Sequence, residues 1–467
     1  MQINTTIAAI ATPPGVGAIA VIRINGPEAL TICDKIFVAA KKNKKLIDQK
    51  PYTIHYGSIV AEDVIIDQVL VSLFRSPHSY TGDDMVEISC HGSQFIQQRI
   101  LEILIKNGAS LAEPGGFTLR AFLNGKLDLS QAEAVADLIS STSESARRVA
   151  INQMRGGFSS KLKELREQLL HFISLVELEL DFSEEDVKFA DRRQLTRLIE
   201  DISEVTKRLM DSFQLGNVIK TGIPVAIVGK PNVGKSTLLN RLLNEDRAIV
   251  SEIAGTTRDT IEDTISINGY NFRFVDTAGL RHTTDTIESM GIERTYAKIS
   301  QSLIVILMVD SRENEQQTIT AIDEIYTKLE QHQKLLVILN KVDASTQEHT
   351  ELLNNLITSK YIKASVKALS AKHDSTVDSL AQQLVTIAQV TKTDGDEVIV
   401  TNARHYESLQ RAHESLLLVA NGLKANIPGD LLSLDIRQVL HYLGEITGEI
   451  TTDDILGSIF SKFCIGK

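Results

Sequence analysis

The sequence predicts a chain of three fold units: an α+β N-terminal domain, an all-α helical domain, and an α/β domain inserted into the helical one. Three observations carry that reading. Short apolar runs broken by turn signals fill residues 1–124. Apolar residues at helical steps of three and four run through 125–216 and return at 393–467. Between these stretches, over 217–392, continuous apolar strands alternate with helical segments, the pattern of a mainly parallel sheet. With 467 residues, 43% of them apolar, the chain can bury several cores.

Taken in order, Thr6-Ile7-Ala8-Ala9-Ile10 and Ala18-Ile19-Ala20-Val21-Ile22 are strand-like and are separated by Pro13-Pro14-Gly15. Residues 69–74 and 86–89 read as further strands, and 96–106 as a helix. In the helical stretch, Ser130 and Glu133 have capping-box spacing ahead of Val135, Leu138 and Ile139. Leu162, Leu165, Leu169, Phe172 and Val176 place one apolar stripe on a second helix. The acidic cluster that follows (Glu177, Glu179, Asp181, Glu184, Glu185 and Asp186) reads as a solvated helix end, and its spacing gives no support to a metal site. Residues 223–228, 303–309, 335–339 and 362–369 read as continuous apolar strands of the α/β part. Asn268-Gly269, between the strands 261–267 and 270–275, is a two-residue hairpin signal. Leu409, Leu416, Val419 and Leu423 form the stripe of a late helix.

The net charge of −11 provides no overall basic field to hold nucleic acid, so RNA work would need a local patch or a partner subunit. Three dispersed cysteines, Cys33, Cys90 and Cys464, lack metal-ligand spacing and suit a reducing cytoplasm. No basic stretch precedes the first apolar run, and no apolar run is long enough to span a bilayer. The expectation is a cytoplasmic protein without a membrane partner.

The chemistry concentrates at the ends of the α/β strands. After the strand 223–228 comes Gly229-Lys230-Pro231-Asn232-Val233-Gly234-Lys235-Ser236, then Thr237 and a helix. This is a P-loop in its strand–loop–helix context: glycines turn backbone N–H groups toward phosphate, Lys235 reaches the β and γ phosphates, and Ser236 suits Mg²⁺. Asp276-Thr277-Ala278-Gly279 follows the hairpin; the acid can hold the Mg²⁺ shell and the Gly279 amide can sense the γ-phosphate. Asn340-Lys341-Val342-Asp343 ends another strand, and the Asp343 carboxylate can accept from both guanine N1–H and the exocyclic amine. Ser370-Ala371-Lys372 closes the base pocket. All sit where ligands bind in open α/β sheets, so GTP is the expected nucleotide and its hydrolysis the expected reaction. Leu280 stands where many GTPases place a water-orienting glutamine. Asn232, offering an oxygen to a monovalent cation, and Glu288, offering a carboxylate to water, are the candidates to compensate.

The whole chain resembles the TrmE-type family of potassium-dependent tRNA modification GTPases. The resemblance rests on Ile10-Ala11-Thr12-Pro13-Pro14-Gly15 and Ile22-Arg23; on Ser79-Tyr80-Thr81-Gly82-Asp83-Asp84 and His91-Gly92; and on Phe117 with the run from Arg120 through Asn124-Gly125-Lys126 to Leu129. It rests further on Gly255-Thr256-Thr257-Arg258-Asp259, on Asp276 through Leu280-Arg281, and on the family-specific Phe463-Cys464-Ile465-Gly466-Lys467. The resemblance implies a homodimer joined through a folate-binding-like N-terminal domain. That domain would hold a 5-formyl- or methylene-tetrahydrofolate at Arg23, Glu87, Lys126 and Lys467, with Cys464 a candidate for chemistry nearby. It implies a switch segment over 251–257, with Mg²⁺ at Ser236 and Thr257, K⁺ at Asn232 and the backbone of Ser251, Ile253 and Thr256, and Glu288 acting on water. Ser251 departs from the family's threonine. A heterotetramer with the FAD-dependent MnmG subunit would install a carboxymethylaminomethyl-type group at C5 of the wobble uridine of tRNA.

Two other readings are a ribosome-assembly GTPase that switches on rRNA and a dimerisation scaffold without modification chemistry. The first would usually carry a KH module or basic tail, which the residues after 393 do not provide.

Overall fold

The computed structural model describes residues 4–41, 44–181, 192–245, 263–275, 299–330, 332–362, 364–388 and 398–467. The chain divides into two compact units: Met1–Ala136 with Gln153–Ser203 and Arg411–Lys467, and Asp137–Asn152 with Glu204–Gln410.

The first unit contains a seven-stranded sheet of β1 (Ile7–Ile10), β2 (Ile19–Asn25), β3 (Phe37–Ala39), β4 (Ile54–Ala61), β5 (Val64–Phe74), β6 (Met85–His91) and β7 (Ser110–Leu111), in the order β3-β4-β5-β6-β2-β1-β7. All its pairs are antiparallel except β1 with β7. Alternation sends Ile22, Ile24, Val71, Leu73, Val86 and Ile88 into a core closed by helices Ala29–Ile36 and Gln94–Lys106. The opposite phase carries Arg23 and Glu87, which face each other in register across β2 and β6. The long strands β4 and β5 extend well beyond the 69–74 run, because their exposed positions are also apolar and blur the alternation: Ile54, Tyr56, Val64 and Ile65 are all more than half exposed.

The same unit holds much of the helical part. Helix Gly157–Asp181 buries Leu162, Leu165, Leu169 and Phe172. It packs on helix Gly429–Thr447, where buried Arg166 donates to the Leu440 carbonyl and pairs with Glu449. Residues on either side of the α/β stretch therefore share one core. Helix Leu129–Ser140 begins earlier than the Ser130–Glu133 spacing suggested. Asp128 and Gln131 form the reciprocal box instead: the Gln131 N–H donates to Asp128 Oδ1, and the Asp128 N–H donates to Gln131 Oε1, both at 2.9 Å. Ser130 and Glu133 are buried inside the helix. The last helix, Asp453–Phe460, sinks Leu456, Ile459 and Phe460 beside Leu129, Ala132 and Val135, with Phe463 just beyond it.

The second unit is a six-stranded α/β sheet: β8 (Ile223–Val228), β9 (Asp263–Ile267), β10 (Tyr270–Phe274), β11 (Ile304–Asp310), β12 (Lys334–Asn340) and β13 (Ala364–Ala368), ordered β13-β12-β11-β8-β10-β9. Only β9 runs antiparallel to its neighbour. Every residue of β11 is buried, as a central parallel strand covered on both faces requires. Asn268 and Gly269 both take positive φ (51° and 83°), the two-residue turn expected of their sequence. The chain thus combines an α+β part, an all-α part and an α/β P-loop part. Among the described residues no helix is long and apolar enough to cross a membrane.

Candidate functional site

The nucleotide cradle forms where parallel strands of the second unit end. The loop after β8 enters helix Lys235–Glu245, so the N–H groups of that helix's first turn lie at the loop. Gly229 and Gly234 hold φ of +146° and +103°. A Cβ at Gly229 would collide with the Met308 carbonyl oxygen, and one at Gly234 with the Asn340 amide. The loop is therefore wedged against β11 and β12, which fixes where its amides point. Asn232 sits in the left-handed region at φ 60°. The Lys235 ammonium donates to the carbonyls of Gly229 and Lys230, 2.7 Å each, at the loop mouth, where phosphate oxygens would replace them as partners.

The base motif is tied to that loop. Asn340 is 2% exposed; its amide donates to the Val233 carbonyl at 2.7 Å, and its oxygen accepts from the Ala371 N–H at 2.9 Å. One side chain thus fixes the phosphate loop and the Ser370–Lys372 segment together. Lys341 donates to the Asn232 carbonyl at 2.7 Å. The Ser370 hydroxyl bonds Asp343 and holds its carboxyl below the usual carboxylate range, leaving an exposed anion able to accept from two adjacent N–H donors. Adenine does not present that pair.

A second cluster lies on the outward phase of the N-terminal sheet. Arg23 donates to Glu87 Oε1 from Nε (3.0 Å) and Nη2 (2.7 Å), and to the Gly466 carbonyl from Nη1 (3.2 Å). Its guanidinium lies 5.8 Å from the Tyr80 ring centre and 5.5 Å from that of Phe117. The Phe117 N–H donates to the Lys467 carbonyl. Burial, with Arg23 close by, holds the Lys467 ammonium below the usual lysine range, while Glu87 and Cys464 pull the other way. Gly466, at φ +92°, lies so close to β1 that a Cβ would come 2.5 Å from the Ile10 carbonyl oxygen. Cys464 is exposed, whereas Cys33 and Cys90 are buried.

Two family models match the chain: "MnmE helical domain" over residues 129–464 and "GTP-binding protein TrmE N-terminus" over 6–126. Proteins named tRNA modification GTPase MnmE are similar along the whole length. Those of Bacteroides fragilis and Flavobacterium johnsoniae are 55% and 52% identical over 465 residues, covering 99% of each chain, and that of Christiangramia forsetii is 54% identical over 476 residues, covering 100% of each.

The chain belongs to the MnmE (TrmE) family. It is a GTPase of that family. The MnmE motifs distribute unevenly over what is described. Arg23, Glu87 and Lys467 come together, as do the P-loop, Asn340 to Asp343 and Ser370 to Lys372. Lys126 donates to the Pro77 carbonyl at 3.2 Å and makes no described contact with the other three folate candidates. Ser251, Ile253, Thr256, Thr257, Asp276, Gly279, Leu280 and Glu288 lie outside the described residues. Tyr80 and Phe117 belonged to the motifs but were not read as site residues; their roles as faces around Arg23 depend on tertiary placement. Asp310, which bonds Lys341, was not singled out at all.

Proposed function

We propose that this MnmE-family chain is the GTP-hydrolysing subunit of a tRNA-modifying complex. With an FAD-dependent MnmG partner it adds a carboxymethylaminomethyl group to C5 of the wobble uridine (position 34), taking one carbon from a tetrahydrofolate. The observation that carries the reading is the coexistence, in one chain, of a guanine-type cradle and the Arg23–Glu87–Lys467 cluster. A folate presents just the complementary chemistry: carboxylates for the cations and pterin N–H groups for Glu87. We further propose homodimerisation through the N-terminal domain, a cytoplasmic location, and domain limits at 1–124, 125–216, 217–392 and 393–467.

In the cradle, backbone N–H groups of the loop from Asn232 to Thr237 bind the phosphates, Lys235 draws the β and γ oxygens together, and Asp343 selects guanine. Ser236, with Thr257 and Asp276, suits Mg²⁺; the Asn232 side chain, with the backbone of Ser251, Ile253 and Thr256, suits K⁺. Bound there, the cations supply positive charge along the phosphate chain, the service an arginine finger performs in other GTPases. Glu288 orients the attacking water. Mass spectrometry of tRNA nucleosides from a strain lacking this chain tests the function: loss of the wobble modification is expected, and its persistence would refute the proposal.

A further inference from the structure

Asp310, the last residue of β11, belongs to none of the nucleotide motifs. It stands in register with Asn340 across β11 and β12, so it ends level with the residue that clips the phosphate loop. Its side chain is only 12% exposed and fully engaged. Arg312 donates to Oδ1 from Nε (2.8 Å) and to Oδ2 from Nη2 (2.6 Å), and the Arg312 N–H donates to Oδ1 at 3.1 Å. Lys341 donates to Oδ2 at 2.8 Å. Together these donors, Arg312 first, hold the carboxyl far below the usual carboxylate range, so it stays an anion at any working pH.

Lys341 is where this anion meets the nucleotide site. Its backbone is left-handed, at φ 66°, immediately before the turn Val342–Ala344 that bears Asp343. Among the described residues its ammonium bonds Asp310 Oδ2 and the Asn232 carbonyl, so the stem spans from the base motif to the phosphate loop. A four-carbon stem ending in an ammonium samples many rotamers, and ordering it costs side-chain entropy. The bond from the ammonium to the Asn232 carbonyl is charge-assisted on one side only, whereas the mostly buried Asp310 carboxylate adds a second, opposite charge.

We propose that Asp310 is a positioning residue of the guanine-nucleotide site: its carboxylate anchors the Lys341 ammonium against the Asn232 carbonyl, which locks the base motif to the phosphate loop before nucleotide arrives. This deepens, and rests on, the guanine reading above. Arg312 is 54% exposed; it neutralises the carboxylate, and its guanidinium also feels the Asp343 carboxylate, with no described hydrogen bond to the phosphate loop.

If Asp310 acts through Lys341, removing either breaks the same linkage, and the two losses do not add. The test is a double-mutant cycle on the full-length chain with a fluorescent GDP, backed by melting temperatures without nucleotide. Asp310→Ala and Lys341→Ala should each weaken GDP by about tenfold, and the double variant no more than the worse single. Arg312→Ala should stay within about twofold. Asp310→Asn, which keeps the shape and an acceptor oxygen, should lose less than Asp310→Ala and carries the cycle if the alanine variant does not fold. In steady state with GTP the loss should fall on KM, with kcat largely held, because Lys341 does not reach the transferred phosphoryl group. Unchanged GDP affinity in the Asp310 variants, or losses that add in the double variant, would overturn the proposal. An unaltered chain that binds GDP no better than ADP would instead overturn the guanine reading itself.

Discussion

In the nucleotide cradle, the groups proposed to meet the ligand are mainly backbone amides on loops leaving strands of one sheet. In the N-terminal cluster, they are mainly side chains, from β2, from β6 and from Lys467, in a tail whose Gly466 carbonyl lies 443 residues from Arg23. The first arrangement tolerates almost no change of backbone shape, since a Cβ at Gly229 or Gly234 has nowhere to go. The second depends on strand register and on the docking of Gly466 against β1. A site made of backbone demands particular residues side by side, so it leaves a contiguous motif. A site made of side chains from distant segments leaves only scattered single charges, each of which looks like ordinary surface when met alone.

The sharpest break should come at Gly234. Gly234→Ala forces a Cβ onto the Asn340 amide in a backbone region that L-residues avoid. Nucleotide affinity should fall by roughly 100-fold or more, while folate binding at the other cluster persists; titration with a fluorescent GDP and calorimetry with 5-formyl-tetrahydrofolate measure the two. Loss of both would mean the regions are not separately built. Next, Asp343→Asn should weaken GTP by about 100-fold and improve xanthosine triphosphate, because the amide donates where the carboxylate accepted. Unchanged GTP affinity by calorimetry would remove Asp343 from the base pocket.

The cation prediction has a comparable size. Leu280 cannot orient water, so hydrolysis at matched ionic strength should be roughly tenfold or more faster in KCl than in NaCl. Asn232→Ala should abolish the difference and keep nucleotide binding; equal rates in the two salts for the unaltered chain would exclude the K⁺ site.

The side-chain cluster should yield more gently. Gly466→Ala, at φ +92° against the Ile10 carbonyl, should cost about 1–3 kcal/mol locally and weaken 5-formyl-tetrahydrofolate by about tenfold, leaving GDP affinity untouched. Unaltered folate affinity would separate the tail from the site. The smallest effect is in thiol chemistry. Burial pushes the Cys90 thiol up to about 11 and the Cys33 thiol higher still. At pH 8 about one Cys90 in a thousand is a thiolate, so one thiol per native chain, that of Cys464, should be alkylated quickly and all three after denaturation. Raising the pH toward 11 should increase the Cys90 rate. Rapid modification of all three thiols in the native chain at pH 8 would contradict the burial.

Strands β8, β11 and β12 were legible because continuous apolar runs end in chemistry, whereas β13 (Ala364–Ala368) is neither continuously apolar nor buried; the Asn268-Gly269 turn followed from its residues alone. β3, β4 and the first part of β5 were not, since three residues are too few for a periodicity and β4 and β5 carry apolar groups on both phases. At the start of helix Leu129–Ser140, Ser130 and Glu133 had the right spacing, yet Asp128 and Gln131 had it too. Burial decided between two equivalent patterns, and burial is tertiary. Asp310 escaped for a similar reason: an acid ending a strand is unremarkable until the neighbouring strand places Lys341 beside it.

The union of Arg23 with Gly466 also sets an order of events during synthesis. The strands carrying Arg23 and Glu87 leave the ribosome long before the residues that complete their cluster. At about 5–20 residues per second, the 443-residue separation amounts to roughly 20–90 s. Throughout that interval the N-terminal sheet can fold around its own core, while the groove beside Arg23 lacks the Gly466 carbonyl and the Lys467 ammonium. A nascent chain is therefore able to fold its first domain well before the proposed folate site is complete, and translation itself acts as the clock that separates the two.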